Sequence, residues 1–249
     1  MPSMTASRDR RTIGVIGGHG PLATVSFLNM IYGLQDVAAE QDYVRVLVDC
    51  NPDLPDRDTL TSEDELACRV GLANTAAALE KAGADLLAMP CNTLHEFEQP
   101  IREAIGIQFI SITGETARVA GARRFARAGI LATRRCLAAS LYQRALSRFD
   151  VEPIVLCEES VAKFMDLLAA LKTGRRGTAE STRMRNLTAE LAEAGAEVVI
   201  AGCTEIALVP GASEVGVPVI DSTLVLARRT LSAALGEQDG NEADVTILP

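Results

Sequence analysis

Apolar residues recur along the chain in two alternating patterns, short β-branched runs and longer stretches where leucine, alanine or valine returns every third or fourth position. The run over 12–16 meets Gly17-Gly18-His19-Gly20-Pro21 and gives way to a periodic segment over 22–34, which reads as strand, tight turn and helix. A strand over 44–50 leads into the proline-braced loop Asn51-Pro52-Asp53-Leu54-Pro55-Asp56-Arg57. A long helix over 62–81 follows, with Ser62 as N-cap, Glu65 three residues on and Gly83 at its end. A strand over 85–89, a short helix opening at Pro100 and a strand over 107–112 complete this half.

The second half repeats the plan. Strands are expected over 128–132, 153–156 and 197–201, and helices over 137–149, 160–172 and 178–194. A strand over 217–221 and a helix over 222–235 close the chain, the helix returning to cover the first half; the acidic tail after Gly236 is expected to be loosely held. This alternation predicts an α/β protein of two pseudo-symmetric Rossmann-like domains, each a parallel sheet flanked by helices, with the active site in the cleft between them. The boundary falls near Gly114, with a crossing back near Gly216: residues 1–113 plus 217–249 form one domain and 114–216 the other.

One stretch is written twice. Residues 74–93 and 186–205 align without a gap and share Asn, Ala, Leu, Ala, Gly, Ala and Cys in register. In each copy a helical pattern ends at a glycine, a short apolar run follows, and a cysteine stands where that run stops: Cys91 and Cys203. In parallel sheets ligands sit beyond the carboxyl ends of the strands. The helix-starting residues after each cysteine bring backbone N–H groups that favour a thiolate. Two equivalent thiols flanking one cleft suit proton removal from one face of a carbon and return to the other, which is racemisation or epimerisation. A repeat that preserves only packing is the plainer alternative.

Composition narrows the field. A net charge of −9 argues against a nucleic-acid surface, and no apolar run approaches a membrane span, so a cytoplasmic protein with reduced thiols is expected. With two histidines and no CxxC pattern, no metal site is expected. The glycine turn lacks the spacing of a dinucleotide or Walker loop, and a substrate carboxylate at the following helix explains it as well. Arg57, in its stiffened loop, either grips a carboxylate or is an ordinary solvated arginine; Lys172 either binds an anion or complements a helix C-terminus. His95, one helical turn from Cys91, either tunes that thiol or is a satisfied buried side chain. Cys50, Cys68, Cys136 and Cys157 are expected to be packing residues.

The motifs Gly17-Gly18-His19-Gly20-Pro21-Leu22-Ala23-Thr24, Asn51-Pro52-Asp53-Leu54-Pro55-Asp56-Arg57, Met89-Pro90-Cys91-Asn92-Thr93-Leu94-His95-Glu96-Phe97, Ala170-Leu171-Lys172-Thr173-Gly174 and Ala201-Gly202-Cys203-Thr204-Glu205-Ile206-Ala207-Leu208-Val209 together resemble the cofactor-independent aspartate/glutamate racemase family, and within it the aspartate racemases. The likeness runs over about residues 13–235. It implies Cys91 and Cys203 as the acid–base pair, Arg57 and Lys172 as carboxylate ligands, no cofactor, an amino-acid or dicarboxylate substrate, and a homodimer. Asn92, Thr93, Thr133, Thr204 and His19 complete the candidate substrate-binding set, with Glu205, His95 and Asn51 behind them. Three departures stand out: His19 replaces a usual methionine, Cys50 a frequent asparagine, and Thr133-Arg134-Arg135-Cys136-Leu137 a smaller, threonine-rich turn that is expected to face the cleft. Rival readings are a maleate isomerase, a decarboxylase-like enzyme on a small dicarboxylate, and a non-catalytic dicarboxylate-binding module. The decarboxylases keep one cysteine and a binding module needs none, so the pairing weighs against both.

Overall fold

The computed structural model describes residues 10–57, 59–175, 177–204, 206, 216–237 and 247–248. In the first half, β1 (Ile13–Gly17), β2 (Val46–Cys50), β3 (Leu86–Ala88) and β4 (Gln108–Ile110) form a parallel sheet in the order β2-β1-β3-β4. The helices between them are α1 (Pro21–Gly33), α2 (Ser62–Lys81) and α3 (Glu98–Glu103), and α4 (Ile112–Ala122) follows β4. In the second half, β5 (Arg127–Ala132), β6 (Glu152–Val155), β7 (Val198–Gly202) and β8 (Val219–Asp221) repeat that order as β6-β5-β7-β8. Its helices are α5 (Arg134–Ala138), α6 (Leu141–Leu146), α7 (Glu158–Lys172), α8 (Thr178–Glu193) and α9 (Ser222–Leu235). A two-residue strand, β9 (Ile247–Leu248), pairs antiparallel with β8, so part of the tail expected to be loose is held on a sheet edge.

Both central strands are buried on two faces, which is why their sequences are continuous apolar runs instead of alternations. In β1, Ile13 and Val15 face one side with Phe27 and Ile31 of α1, while Ile16 packs with Cys68, Leu72 and Leu79 of α2 on the other. In the second sheet, Ile130 and Ile200 lie with Tyr142 and Leu146, and Leu131 and Val199 with Phe164, Leu168 and Leu191. Each fully buried Phe, Ile or Leu contributes about 1.5–3 kcal/mol of transfer free energy. Among the described residues no helix is long and apolar enough to cross a membrane.

The halves trade helices. Ser111 caps α4, its hydroxyl accepting from the Gly114 N–H at 3.3 Å, and α4 then buries Ala117, Val119 and Ala120 in the core of the second half. Asp221 caps α9, accepting from Thr223 and Leu224 N–H at 2.8 and 3.2 Å, and α9 buries Leu226, Ala227, Leu231 and Ala234 with β1 and α1 of the first half. Arg118 of α4 and Arg229 of α9 share the Glu115 carboxylate, at 2.9 and 3.0 Å. The strand expected at the crossing back, 217–221, pairs with β7 and so extends the second sheet; the chain returns to the first half after Asp221 instead of near Gly216.

Other details differ from the expected pattern. The cap of α2 is Thr61, not Ser62: its hydroxyl accepts from Asp64 N–H at 3.3 Å, and the Asp64 carboxylate accepts from Thr61 N–H at 2.9 Å. The helix expected over 137–149 is two short helices, α5 and α6, joined by Ser140 at φ 53°. Helix α4 had no counterpart in the expected pattern, because Ile110-Ser111-Ile112-Thr113 alternates like a strand and the helix carries Gly114 and Gly121.

Candidate active site

β1 ends at Gly17, and the chain turns through Gly18 at φ 95° into α1. A Cβ at Gly18 would lie 2.2 Å from the Asn51 carbonyl oxygen, so this turn and the Asn51 loop approach as closely as backbones allow. That approach sets the floor of a cavity of about 520 Å³. Its polar wall is His19, Asp56, Arg57 and Lys172; its apolar wall is Leu22, Leu54, Leu94 and Leu171. Arg57 comes from the loop after β2 and Lys172 from the last turn of α7, so each half contributes one cation to the same space.

Cys91 follows β3 and Cys203 follows β7, equivalent strands in the two sheets. Both are buried, at 4% and 7% exposure, and neither borders the cavity directly. Cys91 shares a cluster with Leu94, and Cys203 one with Leu171 and Ile206; those two leucines line the cavity. Beyond Cys91 the chain makes a 3₁₀ turn over Thr93–Phe97, with His95 N–H donating to the Asn92 carbonyl at 3.1 Å. Beyond Cys203 the Ile206 N–H donates to the Cys203 carbonyl at 3.1 Å. Glu205 lies outside the described residues.

The residues beside the thiols hold the halves together. Tyr142 donates to Asn92 Oδ1 at 2.5 Å, Asn92 Nδ2 donates to Ser222 Oγ at 3.3 Å, and Ser222 Oγ donates to the Ala201 carbonyl at 2.7 Å. This buried relay connects the neighbour of Cys91 to the strand that ends at Cys203. Burial raises the Tyr142 phenol above its ordinary range, so it stays a hydrogen-bond donor. Thr93 and Thr133 hydroxyls meet at 3.0 Å across the halves, and Thr133 also caps α5 by accepting from Cys136 N–H. Thr204 is buried. Asn51 closes its own loop, Oδ1 accepting from Asp53 N–H at 2.9 Å.

His95 is a satisfied buried side chain. Its Nε2 accepts from Ile112 N–H at 3.1 Å, so Nδ1 carries the proton and donates to the Cys91 carbonyl at 2.7 Å. Burial pushes its pKa down and keeps the ring neutral. It fixes the backbone of Cys91 to the start of α4. His19 is 9% exposed, with no hydrogen-bond partner among the described residues, and borders the cavity. Burial first, and the Arg57 guanidinium second, lower its pKa to about 4.

In the turn expected to face the cleft, Thr133 meets Thr93 across the halves, but the two arginines that follow are engaged elsewhere. Arg134 pairs with Glu158 at 2.7 Å on the surface, and Arg135 leaves α5 to grip Glu96 at 2.7 Å and Glu65 at 2.6 Å in the first half. Neither arginine borders the cavity. Cys68 and Cys136 are buried, the Cys136 thiol pushed up to about 12 by burial, whereas Cys50 and Cys157 are exposed and not packing residues. Cys50 and Cys157 stand at equivalent ends of the edge strands β2 and β6. Asp56 and Leu94 lie within the family motifs without being singled out there, and the relay through Tyr142, Asn92 and Ser222 gave no sequence signal. Among the described residues no group of three or more His, Cys, Asp or Glu side chains is arranged to hold a metal.

The sequence profile of the Asp/Glu/hydantoin racemase family matches residues 16–230. The chain belongs to that family. A broad-specificity amino-acid racemase of Bacillus subtilis is 25% identical over 230 residues, 91% of this chain and 99% of the relative. An aspartate racemase homologue from Pyrococcus horikoshii superposes with a TM-score of 0.76 at 25% identity, over 90% of this chain and 99% of that one. The aspartate racemase of Picrophilus torridus superposes at 0.75 and 23% identity, over 96% and 100%. A Francisella tularensis glutamate racemase shares the fold at 0.65 and 18% identity, over 94% and 86%. As a member of this racemase family the chain is an isomerase.

Proposed function

We propose that the chain racemises a small α-amino acid of the aspartate or glutamate type without a cofactor, using Cys91 and Cys203 as the acid–base pair. The observation that most supports this is the pairing: one cysteine after β3 and its equivalent after β7, each in a core cluster that also contains a leucine lining the same cavity. One sulfur, as thiolate, takes the α-proton while the other, as thiol, protonates the opposite face; the roles reverse for the other enantiomer. A positioned base or acid supplies about 10²- to 10⁴-fold each. The rest of the acceleration comes from Arg57 and Lys172, which neutralise the charge that spreads onto the substrate carboxylate as the α-carbon loses its proton. Asp56, on the same wall, supplies the negative charge that a substrate ammonium requires. With both protons handled by thiols and three lysines in the chain, a Schiff base has no part in the scheme.

The cavity of about 520 Å³ exceeds what aspartate alone fills, and its leucine wall suits side chains longer than a carboxymethyl group. Acceptance of several amino acids therefore agrees with the broad specificity in the name of the Bacillus relative. Incubation with L-aspartate, L-glutamate and neutral amino acids in D₂O, followed by NMR, tests the reading. Deuterium entry at the α-carbon with appearance of the D-enantiomer is expected, and its loss in Cys91→Ala and in Cys203→Ala. Tight amino-acid or dicarboxylate binding with no exchange would instead identify a binding module. Asp56→Asn is expected to raise KM about tenfold with kcat within a factor of about three, as loss of a charge-assisted ground-state contact demands.

A further inference from the structure

A second cavity, of about 450 Å³, opens on a different face, between the first turn of α4 and the α6 segment. Three arginines border it: Arg102 from α3, and Arg144 and Arg148 one helical turn apart in the second half. Two carboxylates border it as well, but both are already engaged. Glu98 accepts from Arg102 Nε and from Ser111 Oγ, each at 2.7 Å, and Glu115 is shared by Arg118 and Arg229. The guanidinium groups of Arg144 and Arg148 make no ion pair or side-chain hydrogen bond among the described residues, in a chain whose net charge is −9. Two uncompensated cations side by side, facing the positive end of an eleven-residue helix, create a local field opposite in sign to that of the whole molecule.

We propose that this cavity is a second ligand site, separate from the thiol cleft, that takes an oxyanion group, phosphate or carboxylate, of a small metabolite. Arg144 and Arg148 grip the oxygens, and the Phe109 and Leu141 side chains beside them accommodate an apolar portion. The site is connected to the cleft. Ser111, which borders it, caps α4; the next residue, Ile112, donates to His95, and His95 donates to the Cys91 carbonyl. An anion that tightens the first turn of α4 therefore acts on the backbone of Cys91 through two hydrogen bonds, and the effect is reciprocal between the two sites.

The test uses binding, not turnover, so its failure and that of the racemase reading are distinguishable. Inorganic phosphate and succinate are titrated at constant ionic strength against the full chain, Arg144→Ala/Arg148→Ala, and Arg57→Ala/Lys172→Ala, with circular dichroism confirming that each variant is folded. Saturable binding of at least one anion is expected to persist in Arg57→Ala/Lys172→Ala and to weaken about tenfold or more in Arg144→Ala/Arg148→Ala. The better of the two anions names the recognised group. Binding lost with Arg57 and Lys172 but kept without Arg144 and Arg148, or no saturable binding of either anion, overturns the proposal. For the connection, iodoacetamide labelling of Cys91, read by peptide mass, is expected to change at least twofold with saturating anion, and not in Arg144→Ala/Arg148→Ala. An unchanged rate would sink the coupling.

Discussion

His19 borders the cavity as a neutral imidazole held beside a permanent cation. Its folded pKa, about 4, lies below the unfolded value of about 6.5, so the unfolded chain takes up the proton first. The resulting stability is complete above pH 6.5 and is lost as the pH falls toward 4, by an amount on the order of 3 kcal/mol at most. His19→Gln, which has no proton to bind, is expected to lose less stability than the parent chain between pH 6.5 and 4 in urea titrations; an identical pH dependence would refute that assignment. At this scale the sequence was informative where a pattern is repeated. Cys91 and Cys203 could be read from two copies of one pattern, and Arg57 and Lys172 from motifs whose positions converge on the cavity. Asp56 lay inside a recognised motif without distinction, because only the fold turns its neighbour-filled loop toward the cavity. His95 could not be assigned from spacing, since its two partners, the Cys91 carbonyl and Ile112 N–H, are set by tertiary structure.

Among the elements, α5 shows how far local patterning reaches. Its Arg134-Arg135 pair reads as a charged turn aimed at a cleft, yet Arg135 crosses to Glu96 and Glu65 and lies over the Phe97 ring at 6.0 Å. Its side chain is 18% exposed, so these contacts are screened less than surface pairs. Arg135→Ala is expected to cost about 1–2 kcal/mol, and a double-mutant cycle with Glu96→Gln to return a coupling of about 1 kcal/mol. A coupling indistinguishable from zero would mean that the contact contributes nothing. The long elements with clear punctuation, α2, α7, α8 and the central strands, follow from sequence alone. Helix α4 does not, because its glycines and β-branched residues are poor helix formers, and what holds it is burial of Ala117, Val119 and Ala120 against the second half.

For the whole molecule, the exchange of α4 and α9 makes neither half self-sufficient. Without α9 the first half loses Leu226, Ala227, Leu231 and Ala234 from the core that they form with Ile13 and Val15 of β1 and Phe27 and Ile31 of α1. A fragment of residues 1–111 is thus expected to melt without a cooperative transition, and co-expression with 112–249 to restore one, as followed by circular dichroism. A sharp transition in the isolated fragment would contradict this dependence. The two-sheet plan was legible because strand and helix patterns alternate twice; the return point was not, because a three-residue strand carries no label for the sheet it joins.

The chain passes from one half to the other after Ser111 and after Asp221, equivalent positions in the two repeats, and comes back to the second sheet at β9. Two such pins, lying side by side where α4 and α9 cross, behave like the knuckles of a door hinge. Rotation about the line through them changes the gap between the Arg57 and Lys172 sides, while shear and twist work against both connections at once.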